Sequence, residues 1–291
     1  MELCTVFDKN YMLKGLVLYK SIKENNILLN ILCIDDITYE TLDNLKLENV
    51  KLYDLKKIEE ENRELTELKE LGFESKYGDS YSQYCWTLTP FFCNYLLKNK
   101  KIESLLYIDS DIYFYENFDL VVEEVKDSNI GIVTHRTKYH ISNETNSGKY
   151  NVGILFFRNN EVGFSCSEFW KTLLLNPKNE YSEKYGTCGD QKYLELFELK
   201  YEGVCIIDKL VGHGAPWCFQ SYNYLDKYLI SYNGMTQSLV YNHFSHFKFD
   251  DIGWQSSYNG EWEPEKVHKY VNEYYEDYYQ EIQNIKKLYN L

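Results

Sequence analysis

Short apolar runs alternate with segments of helical periodicity along the first part of the chain. The apolar runs lie at residues 3–8, 30–36 and 50–55, and each has an aspartate at or near its end. Between them, apolar residues recur at helical spacing, as in an amphipathic helix. This order predicts the beginning of a doubly wound, mostly parallel α/β sheet. Ligands of such sheets bind at the carboxyl ends of the strands.

The alternation of helices and strands continues toward the C-terminus. Charged residues at helical spacing predict a solvated helix at 56–72, and a Ser/Gly/Tyr-rich stretch at 74–84 predicts a mobile loop. The further predicted elements are a helix at 85–101, strands at 130–136, 151–157 and 204–208, and helices at 164–175 and 189–199. From Pro264 onward, one apolar face predicts a C-terminal helix that packs on the body of the protein. That face consists of Val267, Tyr270, Tyr274, Tyr278, Ile282 and Ile285.

Composition narrows the class of protein. The 291 residues include 31 basic and 45 acidic side chains, a formal net charge of -14, which repels phosphate backbones, so we expect no nucleic-acid partner. No stretch approaches ~18 uninterrupted apolar residues, and the N-terminus lacks a basic leader with an apolar core. We therefore expect no transmembrane segment and a cytoplasmic location, with peripheral attachment at the inner face of the membrane as the alternative. The eight cysteines form no C-x-x-C pair, and we expect most of them to be small buried hydrophobes.

Two aspartates follow a buried strand at residues 105–108. Asp109 and Asp111 flank one serine, which places two carboxylates at one edge of the sheet. At about 5 Å and an effective dielectric constant of about 20, their repulsion costs about 3 kcal/mol, a cost that a bound divalent cation would reverse. Oxygen ligands of this kind select Mg²⁺ or Mn²⁺. The alternative, which the spacing leaves open, is that Asp109 caps a turn and Asp111 is merely solvated.

The order of five motifs resembles a known family. TVFDKNYMLKGL (5–16) precedes LLYIDSDIYF (105–114) by about a hundred residues, and NVGILFF, GDQKYLELF and HFSHFKF follow in that order. Together they resemble nucleotide-sugar glycosyltransferases of the GT-A fold, and in particular bacterial enzymes of the family-8 type related to glycogenin and lipopolysaccharide galactosyltransferases. The resemblance covers about residues 1–250.

The resemblance implies one GT-A domain over residues 1–291. Its Rossmann-like sheet would divide into a nucleotide-binding half at 1–130 and a donor-sugar and acceptor half at 131–255. Residues 256–291 would form a C-terminal helical tail.

The resemblance also implies a metal site. Asp109 and Asp111 would hold Mn²⁺ or Mg²⁺ against the donor diphosphate, with His243 as the third ligand. His246 is the competing choice, because the family more often shows H-x-x-G-x-x-K and this chain has HFSHFK. Lys248 would then pair with the diphosphate.

Residues of the first strand-to-helix turn would bind the nucleoside. In this family, that turn uses backbone groups, a stacking ring and a carboxylate, which here correspond to Thr5, Phe7, Asp8 and Tyr11. Arg136, at the end of a later strand, would contact donor phosphate or sugar hydroxyls. Without the resemblance, the alternative is that the first four residues merely cap the helix and that Arg136 forms a surface ion pair.

Four further residues would surround the transferred sugar. Asn151 and Gly153 resemble the small-residue turn beside the sugar. Asp190 would contact sugar hydroxyls, and Gln191 would lie near the anomeric carbon, which makes these two the expected catalytic residues. Without the resemblance, Asp190 reads as a helix N-cap and Gly153 as a bulge in a strand.

The resemblance implies an enzyme that transfers a hexose from a nucleoside diphosphate sugar, with a UDP-sugar favoured. The acceptor would be a hydroxyl of a glycan, a lipid-linked intermediate or a protein, in surface polysaccharide or glycan synthesis. The aromatic stretch at 212–222, with His213 and Trp217, would form the acceptor-side wall. Two alternatives are a sugar nucleotidyltransferase, although the Gly-rich basic loop of those enzymes is absent after the first strand, and a non-catalytic nucleotide-sugar-binding protein.

Overall fold

Parallel strands joined by helices form the N-terminal part of the chain, as predicted. The computed structural model describes residues 1–71, 80–100, 102–115, 118–137, 148–176, 179–181, 189–255 and 268–291. The first elements are β1 (Glu2–Phe7), α1 (Met12–Ile22), β2 (Leu29–Cys33), α2 (Asp36–Leu45) and β3 (Val50–Asp54). Strand β2 lies between β1 and β3 and is parallel to both. Helix α1 packs closely on β1 because Gly15 leaves room for the ring of Phe7, which lies 2.5 Å from where a Cβ would be.

The large sheet has seven strands in the order β3-β2-β1-β4-β7-β6-β8. Its other strands are β4 (Ser104–Ile108), β6 (Ile130–Thr134), β7 (Tyr150–Arg158) and β8 (Val204–Ile206). Strand β7 is antiparallel to both of its neighbours, whereas the remaining pairs are parallel. The mixed α/β class with a mostly parallel sheet is therefore confirmed.

Helices cover both faces of this sheet. The helices that follow β3 are α3 (Leu55–Glu61), α4 (Arg63–Leu71), α5 (Ser80–Asn99), α6 (Asp119–Val125), α7 (Glu161–Leu175) and α8 (Glu195–Lys200). Residues 80–84, which the composition assigned to a loop, belong to α5, and residues 74–79 of that loop lie outside the described residues. The helix expected at 189–199 begins instead with a 3₁₀ turn at Gln191–Leu194 before α8.

A second sheet, which the sequence did not predict, follows the first. Its order is β10 (Asn223–Asp226), β11 (Leu229–Tyr232), β12 (Met235–His243) and β5 (Ile112–Phe114), and β9 (Gly212–Gly214) pairs with β12. A hairpin of β13 (Lys248–Phe249) and β14 (Trp254–Gln255) comes next. Strand β5 comes directly after the D-x-D turn, so this sheet links residues near 240 to that turn.

The C-terminal helix α9 (Lys269–Tyr289) buries the apolar face that its periodicity predicts. Its contacts include α1 and β14, and the ring of Tyr278 stacks on Phe244 with centroids 3.9 Å apart. Val267 lies outside the described residues. Within the described ranges, no helix combines the length and apolarity that crossing a membrane requires.

Most of the cysteines are buried, as expected. Of the seven in the described ranges, all are free thiols, and the buried ones are Cys4, Cys33, Cys93, Cys166 and Cys218. Cys188 lies outside the described residues.

Candidate active site

Strand pairing brings Asp109, Asp111 and His243 together. Strand β4 ends at Ile108, and the N–H of Asp109 then donates to the carbonyl of Gly153 on β7 (2.9 Å). The carbonyl of Asp111 accepts from the N–H of Phe244 (2.9 Å), which continues the pairing of β5 with the end of β12. The D-x-D turn is thus held between the two sheets, with His243 beside it.

The ligand atoms of these three side chains converge. One ligand atom from each residue lies within 4.8 Å of those from the other two. The His243 Nε2 atom is 3.1 Å from Asp111 Oδ1 and 3.5 Å from Asp109 Oδ2. Two carboxylates and an imidazole suit a divalent cation such as Mn²⁺ or Mg²⁺. The donor set therefore fits the predicted metal.

The structure distinguishes between the two histidines. His243 is buried on β12, whereas His246 is exposed and has a left-handed backbone (φ 57°). Of the two, His243 belongs to the cluster with the aspartates. The only effect of His246 on the cluster is a small electrostatic contribution that lowers the pKa of Asp111.

Burial and mutual proximity perturb all three groups. Burial raises the pKa of Asp109, and the Asp111 carboxylate adds to this against the opposing effect of His243. Burial also acts to raise the pKa of Asp111, but His243 and Lys14 outweigh it and lower this pKa to about 2. For His243, burial lowers the pKa, and the two aspartates outweigh that effect and raise it above its ordinary value. The two carboxylates therefore favour the protonated form of the His243 imidazole.

The side-chain amide of Asn151 orients the His243 ring through Nδ1. The Nδ1 atom of His243 lies 3.2 Å from Asn151 Oδ1, which also accepts the N–H of Gly153 (2.8 Å). Because an amide oxygen only accepts, Nδ1 carries the hydrogen, and the Nε2 lone pair of the neutral ring faces the aspartates. A Cβ at Gly153 would lie 2.7 Å from both His243 Nδ1 and Asn151 Oδ1. Only glycine fits there.

Two residues that lie beside the aspartates were not predicted from the sequence as part of the site. The hydroxyl of Tyr107 donates to Asp109 Oδ1 (2.6 Å), and the ammonium of Lys14 lies 3.9 Å from Asp111 Oδ2. Lys14 is only 3% exposed. The available signal was a single lysine within the otherwise apolar run MLKGLVLY at the start of α1.

Comparison with known proteins identifies the family. The model of "Glycosyl transferase family 8" matches residues 2–207, which is most of the chain. The chain belongs to this family. It is therefore a glycosyltransferase, as the motifs predicted.

The chain is also similar to individual proteins and to solved structures. The uncharacterized proteins YfnF and YfnD of Bacillus subtilis (strain 168) are 28% and 24% identical over 262 and 248 residues. These alignments cover 86% and 84% of this chain, and 82% and 76% of those proteins. The galactosyltransferase LgtC, crystallised with donor and acceptor sugar analogues, has a TM-score of 0.57 at 14% identity and covers 98% of this chain and 96% of its own. Mouse xyloside xylosyltransferase 1 has a TM-score of 0.55 at 18% identity, covering 84% and 97%. These likenesses confirm the GT-A fold.

Of the four residues predicted in the first strand-to-helix turn of this family-8 chain, only Tyr11 is exposed, whereas Asp8 is 7% exposed. The Asp8 carboxylate accepts from the Asn10 side chain and from Tyr81, each at 2.9 Å, and Tyr11 is 37% exposed. Thr5 is fully buried, and the ring of Phe7 is 3% exposed beneath α1. The exposed ring of this turn is therefore that of Tyr11, not the buried ring of Phe7.

Arg136 is engaged by the protein itself, and its predicted donor contact stays a prediction. Its guanidinium donates to Gln237 Oε1 (3.0 Å) and to the carbonyl of Asp208 (2.9 Å), and the residue is 4% exposed. The backbone of Arg136 is left-handed (φ 52°), so the strand does not continue through it. Lys248, the other predicted cation, is exposed on β13.

Asp190 and Gln191 lie near the same cluster. Gln191 Oε1 accepts from the Asn151 amide at 3.4 Å, so it connects through Asn151 to His243. Asp190 is buried, and its carbonyl accepts from the indole N–H of Trp170 (3.0 Å). Burial raises the pKa of Asp190 well above its ordinary value, and the charge on Asp109 adds to this.

The two residues expected in an acceptor wall differ in accessibility. Trp217 is half-buried, and its ring stands edge-on to His243 with centroids 5.3 Å apart. His213 is 2% exposed and stacks on Tyr241, so it offers no surface to an acceptor. Trp217 alone of this pair borders the site.

Proposed function

We propose that this family-8 glycosyltransferase transfers a hexose from a nucleoside diphosphate sugar, with a UDP-sugar favoured, to a hydroxyl acceptor in a Mn²⁺- or Mg²⁺-dependent reaction. The observation that carries this proposal is the convergence of Asp109, Asp111 and His243, whose ligand atoms lie within 4.8 Å of one another. The acceptor is a hydroxyl of a glycan, a lipid-linked intermediate or a protein, and the setting is surface polysaccharide or glycan synthesis.

The metal ligands have a defined task in this scheme. Asp109, Asp111 and His243 would hold the cation at the edge of the sheet where ligands of doubly wound folds bind. A bound divalent cation supplies positive charge that stabilises a departing diphosphate. The amide of Asn151 keeps His243 in the tautomer that can bind a cation.

Different residues around the cation bind different parts of the donor. Tyr11 receives the nucleoside at the first turn, where its exposed ring offers a stacking surface, and the buried Asp8 carboxylate beside it is a hydrogen-bond acceptor for a hydroxyl. Asp190, which is buried near Asp109, contacts a hydroxyl of the donor sugar. Gln191 lies on the Asn151 side of the metal ligands and faces the anomeric centre.

The experiment is an assay of donor hydrolysis, because glycosyltransferases release nucleoside diphosphate slowly to water. Purified protein is incubated with UDP-, GDP- and CDP-hexoses, with Mn²⁺ or with EDTA. We expect UDP release that needs Mn²⁺ and that falls about 100-fold in Asp111→Asn. The matched control is Asp127→Asn, which changes an exposed aspartate on the same chain.

Two outcomes contradict the proposal. Equal release in EDTA, or full activity of Asp111→Asn, removes the metal dependence. Formation of pyrophosphate from a nucleoside triphosphate and a sugar 1-phosphate would instead indicate the nucleotidyltransferase reaction.

A further inference from the structure

Helix α5 contacts two parts of the candidate site along its length. Near its start, the hydroxyl of Tyr81 donates to the Asp8 carboxylate in the first strand-to-helix turn (2.9 Å). Further along the helix, the hydroxyl of Thr89 donates to that of Tyr107 (3.3 Å), which in turn donates to Asp109 (2.6 Å). Helix α5 therefore borders both the first strand-to-helix turn and the D-x-D turn.

Trp86 lies between these two contacts on α5 and packs on a third part of the site. It comes three residues before Thr89, and residues at this spacing share a face of a helix. Its ring atoms Cε3 and Cδ2 lie 2.6 and 3.0 Å from where a Cβ of Gly189 would be. The half-buried indole therefore packs directly on the main chain of Gly189, the residue before Asp190.

The main chain at Gly189 depends on its neighbours for a fixed conformation. Its φ of 55° is left-handed, and a glycine moves between conformations at little cost. Trp86 restricts this residue by packing, and the indole N–H of Trp170 on α7 restricts the next one by donating to the carbonyl of Asp190 (3.0 Å). Two indoles from two helices therefore determine where Asp190 and Gln191 lie.

We propose that Trp86 is a positioning residue of the active site. Its indole fixes the main chain of Gly189 and thereby places Asp190 and Gln191 against the transferred sugar, which makes Trp86 a determinant of donor-sugar preference. This inference rests on the proposed function, because it concerns the sugar of the same donor. It assigns a role to a residue that the sequence pattern places only in an apolar helix.

Loss of the indole has different consequences for the sugar and for the nucleotide. In the proposed function, Asp190 and Gln191 contact the sugar, whereas Tyr11 and the cation bind the nucleoside and the diphosphate. A misplacement of about 1 Å can lower a reaction rate about 100-fold. Without the Trp86 ring, the turn should therefore orient the sugar less well and distinguish less well between epimeric sugars, while UDP still binds.

The test compares two epimeric donors, UDP-glucose and UDP-galactose, with the full-length protein and Mn²⁺. Hydrolysis of each donor gives kcat and kcat/KM, and calorimetric titration gives the affinity for UDP. The variants are Trp86→Ala, which removes the ring, and Trp86→Phe, which keeps a smaller one. Tyr95→Ala is the control, because Tyr95 is a half-buried aromatic residue of the same helix that packs against Tyr53 on β3 (ring centroids 6.3 Å apart).

We expect Trp86→Ala to lower kcat for the preferred donor and to lower the ratio of kcat/KM between the two donors by about tenfold, the scale of one lost pocket contact. Its affinity for UDP should stay close to that of the wild type. Trp86→Phe should show a smaller change in the same direction, and Tyr95→Ala should keep the wild-type ratio. The ratio is the informative quantity, because a partly unfolded preparation lowers the activity toward both donors equally. Thermal unfolding verifies that each variant is folded.

Three results would overturn the inference in different ways. If the wild type prefers one donor and the ratio is unchanged in Trp86→Ala, or in Trp86→Phe should the alanine variant not fold, the positioning role is wrong and the proposed function stands. If UDP affinity falls together with kcat, Trp86 supports the whole site and has no specific role at the sugar. If the wild type hydrolyses neither donor, the UDP-hexose reaction of the proposed function fails, and this inference fails with it.

Discussion

His243 has a different partner on each ring nitrogen. Nδ1 faces the Asn151 oxygen at 3.2 Å, and Nε2 faces the two aspartates. A proton and a metal cation therefore compete for Nε2. Although burial lowers the pKa of His243, Asp111 and Asp109 outweigh it and raise this pKa above the ordinary value.

This competition predicts opposite pH trends with and without metal. A raised histidine pKa contributes stability that is present below its unfolded value of about 6.5 and is lost as the pH rises through the folded value. In EDTA, the midpoint of thermal unfolding should therefore fall as the pH rises from about 6 to about 8. Mn²⁺ affinity should increase over the same range, because the proton leaves Nε2. The same decline in EDTA for His243→Asn would show that another group is responsible.

Gly153 provides a steric test of the site. A methyl group there would lie 2.7 Å from His243 Nδ1 and from Asn151 Oδ1. We expect Gly153→Ala to displace the imidazole and to weaken Mn²⁺ binding by about tenfold or more, measured by titration. Gly253→Ala is the matched control, since nothing lies within 4 Å of its Cβ position. Equal Mn²⁺ affinities of the two variants would contradict the assigned position of His243.

At the residue scale, the sequence predicted those site residues that belong to a local motif. Asp109 and Asp111 were recognisable because they follow a buried strand. The choice between His243 and His246 depended on the register of β12 against β5, which no local pattern determines. Lys14 could not be assigned, because its partner Asp111 lies far away along the chain.

At the scale of elements, one carboxylate organises the connection between β8 and β9. Glu124 on α6 accepts the backbone N–H groups of four successive residues at distances of 2.6 to 3.0 Å. Those donors are Asp208, Lys209, Leu210 and Val211. The same segment supplies carbonyls to Arg136. Loss of the carboxylate would therefore leave several donors without an acceptor.

Glu124→Ala should destabilise the protein by about 3 kcal/mol, measured by urea unfolding, because hydrogen bonds to a charged group contribute more than neutral ones. Glu123→Ala is the control from the adjacent position. Glu123 is exposed and pairs with Lys126, so its removal should change the free energy of unfolding by less than about 1 kcal/mol. Similar losses in both variants would contradict the role given to Glu124.

The elements of the large sheet with a clear apolar pattern were predicted, and the strands of the second sheet were not. The first three strands and the C-terminal helix follow from their apolar patterns. The edge strand β10 of the second sheet is short and mostly exposed, so it shows no buried face, whereas β12 was missed although it has nine residues. Pairing with distant strands, not local preference, makes it a sheet.

At the scale of the whole molecule, the C-terminal helix α9 packs both on helix α1 and beside the end of strand β12 in the second sheet. It packs on α1, and Tyr278 stacks on Phe244, the residue that follows His243. The division of the chain into halves remains a prediction. If residues 1–291 form one domain, unfolding should follow a single transition.

Tyr278→Ala should destabilise this domain by about 3 to 5 kcal/mol, because it removes a fully buried ring. Gln280→Ala, on the exposed side of the same helix, should stay within about 0.5 kcal/mol of the wild type. Urea unfolding followed by circular dichroism measures both. A transition in two steps, with only one step affected by Tyr278→Ala, would contradict a single domain.

The central claim is that Asp109, Asp111 and His243 form one metal site for the donor diphosphate. The most direct measurement is an anomalous difference map at the manganese edge from crystals grown with Mn²⁺ and UDP. We predict one strong peak about 2 Å from an oxygen of each aspartate and from His243 Nε2, with the diphosphate completing its coordination. A peak bound by other residues, or diphosphate bound with no manganese beside it, would contradict the account.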